Sequence, residues 1–319
     1  MTKRLLSRFS PLCLGMLVWV GLTACSKPAP SEGKDAAASS VVASANTAAN
    51  QAGQPVDLTQ QTEAYKTWVT GQIDLLLADT EKFVALLKAG KLEEAKALYP
   101  KARMYYERSE PIAESFGDLD PRIDNREADL EKDEVWSGFH RIEKILWTQQ
   151  TTQGTEKLGD QLLADIKELR AKLPTAEVTG ELMVQGSVDL LNEVSTSKIT
   201  GEEEIFSHTD LYDFKANIEG AEKIFEILKP VIQTKNPALV TELTQKFAAV
   251  DALLAKHQVG SNDYKLYTEL TADDTKALAE AVNKLRAPLA QMGVEQQKTT
   301  LLFFAPYQPR THIMRSVIR

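Results

Sequence analysis

Two residue types that can hold a cation or move a proton stand three apart in the stretch VWSGFHRIEKILW, residues 135–147: His140 and Glu143. In a helix, positions i and i+3 share a face, so the imidazole and the carboxylate point the same way. Trp136, Phe139, Ile142, Leu146 and Trp147 surround them. Ligand-type groups among bulky apolar neighbours fit a metal site inside a helical bundle. They also fit a buried histidine hydrogen-bonded to a nearby acid, the commoner outcome for a lone H-x-x-E. The other acids of the chain decide between the two.

Three acidic stretches repeat the same logic. Glu107 and Glu110 are again i,i+3, with Glu114 four further on, so a single helix would carry all three on one stripe. Like charges at that spacing cost a few tenths of a kcal/mol each, which a bound cation reverses; a solvated acidic face is the alternative. Asp118, Asp120 and Asp124 lie in a stretch punctuated by Gly117 and Pro121, which reads as a loop able to bring Asp124 back over Glu107 and Glu110. Asp118 and Asp120 also fit the ordinary task of capping a turn. Glu202, Glu203 and Glu204 follow Gly201, with His208, Asp210 and Asp213 after them. Consecutive acids diverge on a helix, and acids at a helix start also favour its dipole.

Carboxylates with one imidazole make a hard, oxygen-rich donor set, suited to Fe³⁺, Fe²⁺, Mn²⁺, Ca²⁺ or Zn²⁺. His140 and Glu143 are the expected primary ligands. Glu107, Glu110, Asp124 and Glu203 are expected as further ligands or charge balance, with Arg122 and Arg141 orienting them. A zinc-peptidase H-E-x-x-H has two histidines on one helical face, whereas this helix offers one. The two cysteines, Cys13 and Cys25, both fall in or at the end of the N-terminal segment, which excludes thiolate metal sites and cysteine nucleophiles from the domain.

The elements that must position these groups are all helical. Apolar residues recur at helical spacing from Tyr65 to Leu87, and Gly90 ends the run. A second helix starts near Leu92, is disturbed by Pro111 and ends at Phe116-Gly117. After the His140 helix, further helices are expected over about 157–172 and 176–197, from Thr200-Gly201 through the acidic cluster to Pro230, then over about 236–258 and 272–292. No stretch alternates as a strand does. The about 265 residues of the domain can bury a sizeable core, as an all-α pair of packed bundles.

The N-terminus is an address. Lys3, Arg4 and Arg8 precede an apolar run from Pro11 to Leu22, and Leu22-Thr23-Ala24-Cys25 has the form of a lipobox. Residues 1–24 are therefore read as a lipoprotein signal peptide, with Cys25 lipidated and the protein anchored by acyl chains. Ser26 in place of Asp favours the outer membrane in a Gram-negative cell. Residues 25–55, small and polar, form a tether. Residues 56–319 form the domain, although the basic run after 292 breaks the helical pattern. The net charge is −8, and removal of a signal with three basic residues and no acid leaves −11. An acidic body excludes nucleic acid as partner and suits a cation as ligand.

The stretches YERSEPIAESFGDLDPRIDNRE, WSGFHRIEKILW and TGEEEIFSHTDLYDFKANIEGAEKI resemble the imelysin-type domain of EfeO and EfeM, periplasmic components of bacterial iron uptake. The resemblance covers about residues 57–292. It implies two helical bundles with a metal site in the cleft between them. By position, His140 and Glu143 match the family's H-x-x-E; Glu107, Glu110 and Asp124 match its acidic positions; Glu203 matches its G-E-E acid. No cupredoxin-like domain precedes the bundle, which is the EfeM-like arrangement. The implied function is non-enzymatic capture of iron for a membrane iron permease working with a haem peroxidase. The family also includes proteins once taken for metallopeptidases and an alginate-binding relative, which leaves peptidase activity and polysaccharide binding as rival expectations.

Overall fold

Helix α1, Thr59–Lys88, buries one side along its whole length: Tyr65, Val69, Ile73, Leu76, Thr80, Phe83 and Leu87 recur every three or four residues. Gly90, with φ of +72°, turns the chain into α2, Leu92–Glu107. A 3₁₀ segment, Glu110–Phe116, follows, because Pro111 lacks the N–H that would continue the ladder. The computed structural model describes residues 56–297. The expected signal peptide, Cys25, the expected tether and the tail after residue 297 lie outside the described residues, as does the side chain of Glu114.

Two bundles result. The first is α1, α2 and α5 (Glu156–Lys172), crossed by two short helices, α3 (Leu119–Asp124) and α4 (Gly138–Lys144). The second is α6 (Gly180–Thr196), α7 (Asp210–Lys235), α8 (Pro237–Leu254) and α9 (Ala272–Gln297). They meet where α2 packs on α7, and one continuous apolar core runs through both. The protein is all-α apart from a small antiparallel pair, β1 (Gln258–Val259) and β2 (Asp263–Tyr264). Among the described residues, no helix is long and apolar enough to cross a membrane.

Three local expectations need correction. The stretch expected as a loop before Asp124 contains α3, since Pro121 falls in its first turn, where the missing N–H has no intrahelical partner to lose. Residues 201–209 were expected inside a helix but form turns, because Gly201 and His208 take φ of +80° and +59°. Pro230 does not end α7; it lies on the exposed face, where water can serve the Glu226 carbonyl that its ring leaves unpaired.

Candidate metal centre

The start of α4 is set against the end of α3 by side chains that serve α3's last carbonyls. Ser137 Oγ donates to the Arg122 carbonyl at 2.9 Å, and Trp136 Nε1 donates to that of Asn125 at 2.7 Å. Gly138, with φ of +86°, lets the backbones touch: a Cβ there would lie 2.3 Å from the Ile123 carbonyl oxygen. This contact places His140 beside Asp124, with His140 Nε2 3.6 Å from Asp124 Oδ1 and 3.9 Å from Glu203 Oε1.

Glu143 faces the other ring nitrogen. Its Oε2 is 3.2 Å from His140 Nδ1, while Oε1 accepts the backbone N–H groups of Phe206 and Ser207 at 3.0 and 2.7 Å. Burial would raise Glu143, but the His140 hydrogen bond and the Ser207 N–H bring it below the usual carboxylate range. An ionised carboxylate only accepts, so Nδ1 must donate, which leaves Nε2 as the nitrogen that can ligate. Nε2 is buried without any hydrogen-bond partner, in a residue only 1 % exposed. Glu143 thus orients the imidazole more directly than it offers itself as a ligand, a difference from the role expected for it.

Among the described residues, seven side chains in three groups could enclose an ion, each group's ligand atoms lying within 4.8 Å of one another. They are Asp124, His140 and Glu203; His140, Glu143 and Glu204; and Glu107, Glu110 and Asp124. All six residues read from the sequence are therefore brought together, and Glu204 joins them. Glu107 and Glu110 do not share one helix, since α2 ends at Glu107 and Glu110 begins the 3₁₀ segment. Asp118 does not cap α3 with its side chain, and Asp120 accepts a short hydrogen bond from Tyr106.

The neutralising cations are not the expected ones. Arg122 binds Asp118, Asp165 and Glu168, and Arg141 lies over Trp136. Instead Arg103, wholly buried on α2, spreads its guanidinium among the acids. It lies 2.6 Å from Glu107 Oε1, 2.6 Å from Glu204 Oε1 and 3.3 Å from Asp213 Oδ1, and in short contact with Asp124. Lys198 Nζ lies 3.2 Å from Glu107 Oε2 and 3.3 Å from Glu203 Oε1. Arg126 reaches Glu203 at 3.1 Å from the half-buried rim. Asn217 donates to Glu107 Oε2 at 2.9 Å. Arg103 carried one signal in the sequence, its place on the apolar stripe through Ala95, Tyr99 and Tyr106. Lys198 carried none.

The charge balance still favours an added cation. Burial, opposed by Arg103, pushes the Asp124 carboxyl up to about 6. Burial, reinforced by Glu143, holds Glu204 well above the usual range. Burial likewise raises Asp213 against Arg103, and Glu110 against Lys198. Glu203 goes the other way: burial would raise it, but Lys198 and its other cationic neighbours bring it down to about 2. Several of these acids therefore hold protons that a metal ion would replace.

The tryptophans are mostly structural. Trp147 packs on Tyr99, and Trp136 carries Arg141 and Lys144 over its ring. Trp68, stacked on Tyr65, also borders a groove with Gln72, Tyr105 and Arg108.

Known proteins agree with this architecture. Residues 61–292 match the family model described as Imelysin, which carries a peptidase label. A Staphylococcus haemolyticus protein named an Efem/EfeO family lipoprotein is 54 % identical over 241 residues, 74 % of this chain and 84 % of the relative. Proteins of the same name from two Staphylococcus aureus strains are 51 % and 50 % identical over 246 residues, 76 % of this chain and 87 % of theirs. The chain therefore belongs to the imelysin family, among the EfeM/EfeO lipoproteins.

Proposed function

We propose that this protein is a lipid-anchored, extracytoplasmic iron-binding protein that captures the ion at His140 and passes it to a membrane iron permease. The observation that carries the reading is His140 Nε2: a buried, unpartnered nitrogen facing Asp124 and Glu203 inside a carboxylate cluster between two bundles. Burying an imidazole nitrogen without a partner costs free energy unless something occupies it in the working state. Oxygen donors with one imidazole suit Fe³⁺ or Fe²⁺, with Zn²⁺, Mn²⁺ and Ca²⁺ as competitors. The name lipoprotein borne by the relatives supports anchoring through Cys25; the outer membrane of a Gram-negative cell, facing the periplasm, is the proposed location on the ground of Ser26 alone. The haem peroxidase and permease of an Efe-type system are the proposed partners.

Titration calorimetry with Fe³⁺-citrate, Fe²⁺, Zn²⁺, Mn²⁺ and Ca²⁺ is expected to reveal a specific site, weakened at least about tenfold in Glu143→Ala, the usual scale for loss of a ligand's supporting carboxylate. Absence of binding to all five would sink the proposal. Two rivals have their own tests. Among the described residues no second histidine joins the ion-sized groups, which disfavours a two-histidine zinc peptidase; chelator-sensitive peptide cleavage lost in His140→Ala would reverse that. Polysaccharide binding has the Trp68 groove in its favour; alginate binding that survives His140→Ala would support it over ion capture.

A further inference from the structure

Lys198 offers no ligand atom to the ion captured at His140, yet it is one of the least expected residues to be buried. It ends the second bundle's α6 through a short 3₁₀ turn, Lys198–Thr200, and is only 4 % exposed. Its ammonium joins two of the three ion-sized groups. Glu203, 3.3 Å away, belongs to the His140 group, and Glu107, 3.2 Å away, belongs to the group with Glu110 and Asp124. Those two groups share Asp124. A carboxylate common to two clusters is the arrangement that bridges a pair of metal ions.

One half of this pair has an imidazole and the other has only oxygens. The all-oxygen half also contains an unsatisfied atom, since Glu110 Oε2 is buried without a hydrogen-bond partner. Here the protein supplies its own cation. Arg103 does not play this part: its guanidinium ties Glu107, Asp124, Glu204 and Asp213 together and lies against the rings of Tyr99 and Phe139, so it frames both halves. Lys198 is a point charge on a flexible stem between two carboxylates, a closer stand-in for an ion.

We propose that Lys198 is a built-in cation filling the second half of a two-ion carboxylate centre, so that the native protein holds one ion, at His140. The proposal rests on the reading that the His140 group takes a cation. It makes Lys198 a stoichiometry-determining residue. Removing its charge while keeping its bulk vacates the Glu107–Glu110–Asp124 half, and a second ion then enters, bridged to the first through Asp124.

The test is Mn²⁺ titration of the full-length protein in detergent, by calorimetry and electron paramagnetic resonance, for native protein, Lys198→Met, Lys198→Gln and Lys198→Arg. The native protein and Lys198→Arg are expected to bind one Mn²⁺ with the spectrum of an isolated ion. Lys198→Met and Lys198→Gln are expected to bind two, with spin-coupled spectra, and to recover on Mn²⁺ addition any melting temperature they lose without it. One ion in both charge-removing variants, or two in the native protein, overturns the proposal while leaving ion capture standing. Absence of bound Mn²⁺ in the native protein overturns this inference, while ion capture falls only if the other four cations also fail to bind. If Lys198→Met does not fold, Lys198→Gln, which retains a hydrogen-bond donor for Glu107 or Glu203, decides.

Discussion

At the residue scale, the pairing of His140 with Glu143 sets which nitrogen faces the ion. Glu143→Gln tests this more sharply than truncation. The glutamine oxygen can still accept from Phe206 and Ser207, but its amide would then donate to His140 Nδ1. The ring must switch tautomer and turn Nε2–H towards Asp124 and Glu203. Ion affinity should drop about 10- to 100-fold with little change in melting temperature, read by calorimetry and thermal unfolding on the same sample. Unaltered affinity would show that Glu143 does not set the tautomer. Arg103 makes the opposite expectation. Arg103→Leu strips the shared counter-charge from Glu107, Asp124, Glu204 and Asp213. Unpairing a buried charge network costs about 3–5 kcal/mol, which denaturant titration of the metal-free protein should show and added cation should partly restore.

At the element scale, α3 and α4 are too short to hold their positions by propensity, and their mutual docking does so instead. Gly138 is the hinge of that docking. Gly138→Ala would force a Cβ against the Ile123 carbonyl and place a side chain at positive φ. The expected loss is about 2–4 kcal/mol from overpacking and left-handed strain together. Because Asp124 follows Ile123 directly, ion affinity should fall as well, in a calorimetric titration of the folded variant. A stable variant with native affinity would place the α3–α4 register elsewhere. Much of this scale was legible in the sequence: the apolar spacing of α1 and the glycine after it define a helix and its end. The turn at 201–209 was not. Its acids resemble a helix start, and only tertiary contacts reveal why it stays irregular. Tyr267 donates its backbone N–H to the His208 carbonyl at 2.8 Å and its hydroxyl to that of Ile199 at 2.6 Å, pinning both ends of the turn.

At the scale of the whole molecule, the buried acids make stability depend on pH in two windows. Asp124 and Asp210 are raised, mainly by burial, from 3.8 to about 6 in the fold. The folded state binds their protons more tightly, so this stabilisation is full below the unfolded value and is lost as pH rises through about 6. Glu203, brought from 4.5 to about 2, stabilises above its unfolded value and loses that contribution as pH falls through about 2. Metal-free protein should therefore melt highest between these windows and lose roughly 2–8 °C from pH 5 to pH 7, for a kcal/mol or two in a domain of this size. Fe²⁺ or Mn²⁺ should raise the melting temperature more at pH 7 than at pH 5 and release protons on binding. Titration in buffers of different ionisation enthalpy would detect those protons. A melting temperature that rises from pH 5 to pH 7 without metal would contradict the buried-acid balance.

The sequence by itself determined the helical class, the two-bundle scale of the domain and the acids able to serve a cation. Helical periodicity and residue chemistry are local, and both are written along the chain. Convergence of those acids, the choice of ring nitrogen and the identity of the counter-charges were decided only by tertiary structure. Arg103, Lys198 and Glu204 lie far apart in sequence from His140 or on another bundle, and no spacing rule links them. They meet because α2 packs on α7 and α3 docks on α4, which buries acids and bases in one volume where each must find a partner. The sequence named the residues able to hold an ion; the packing decided that an arginine and a lysine would share the place with it.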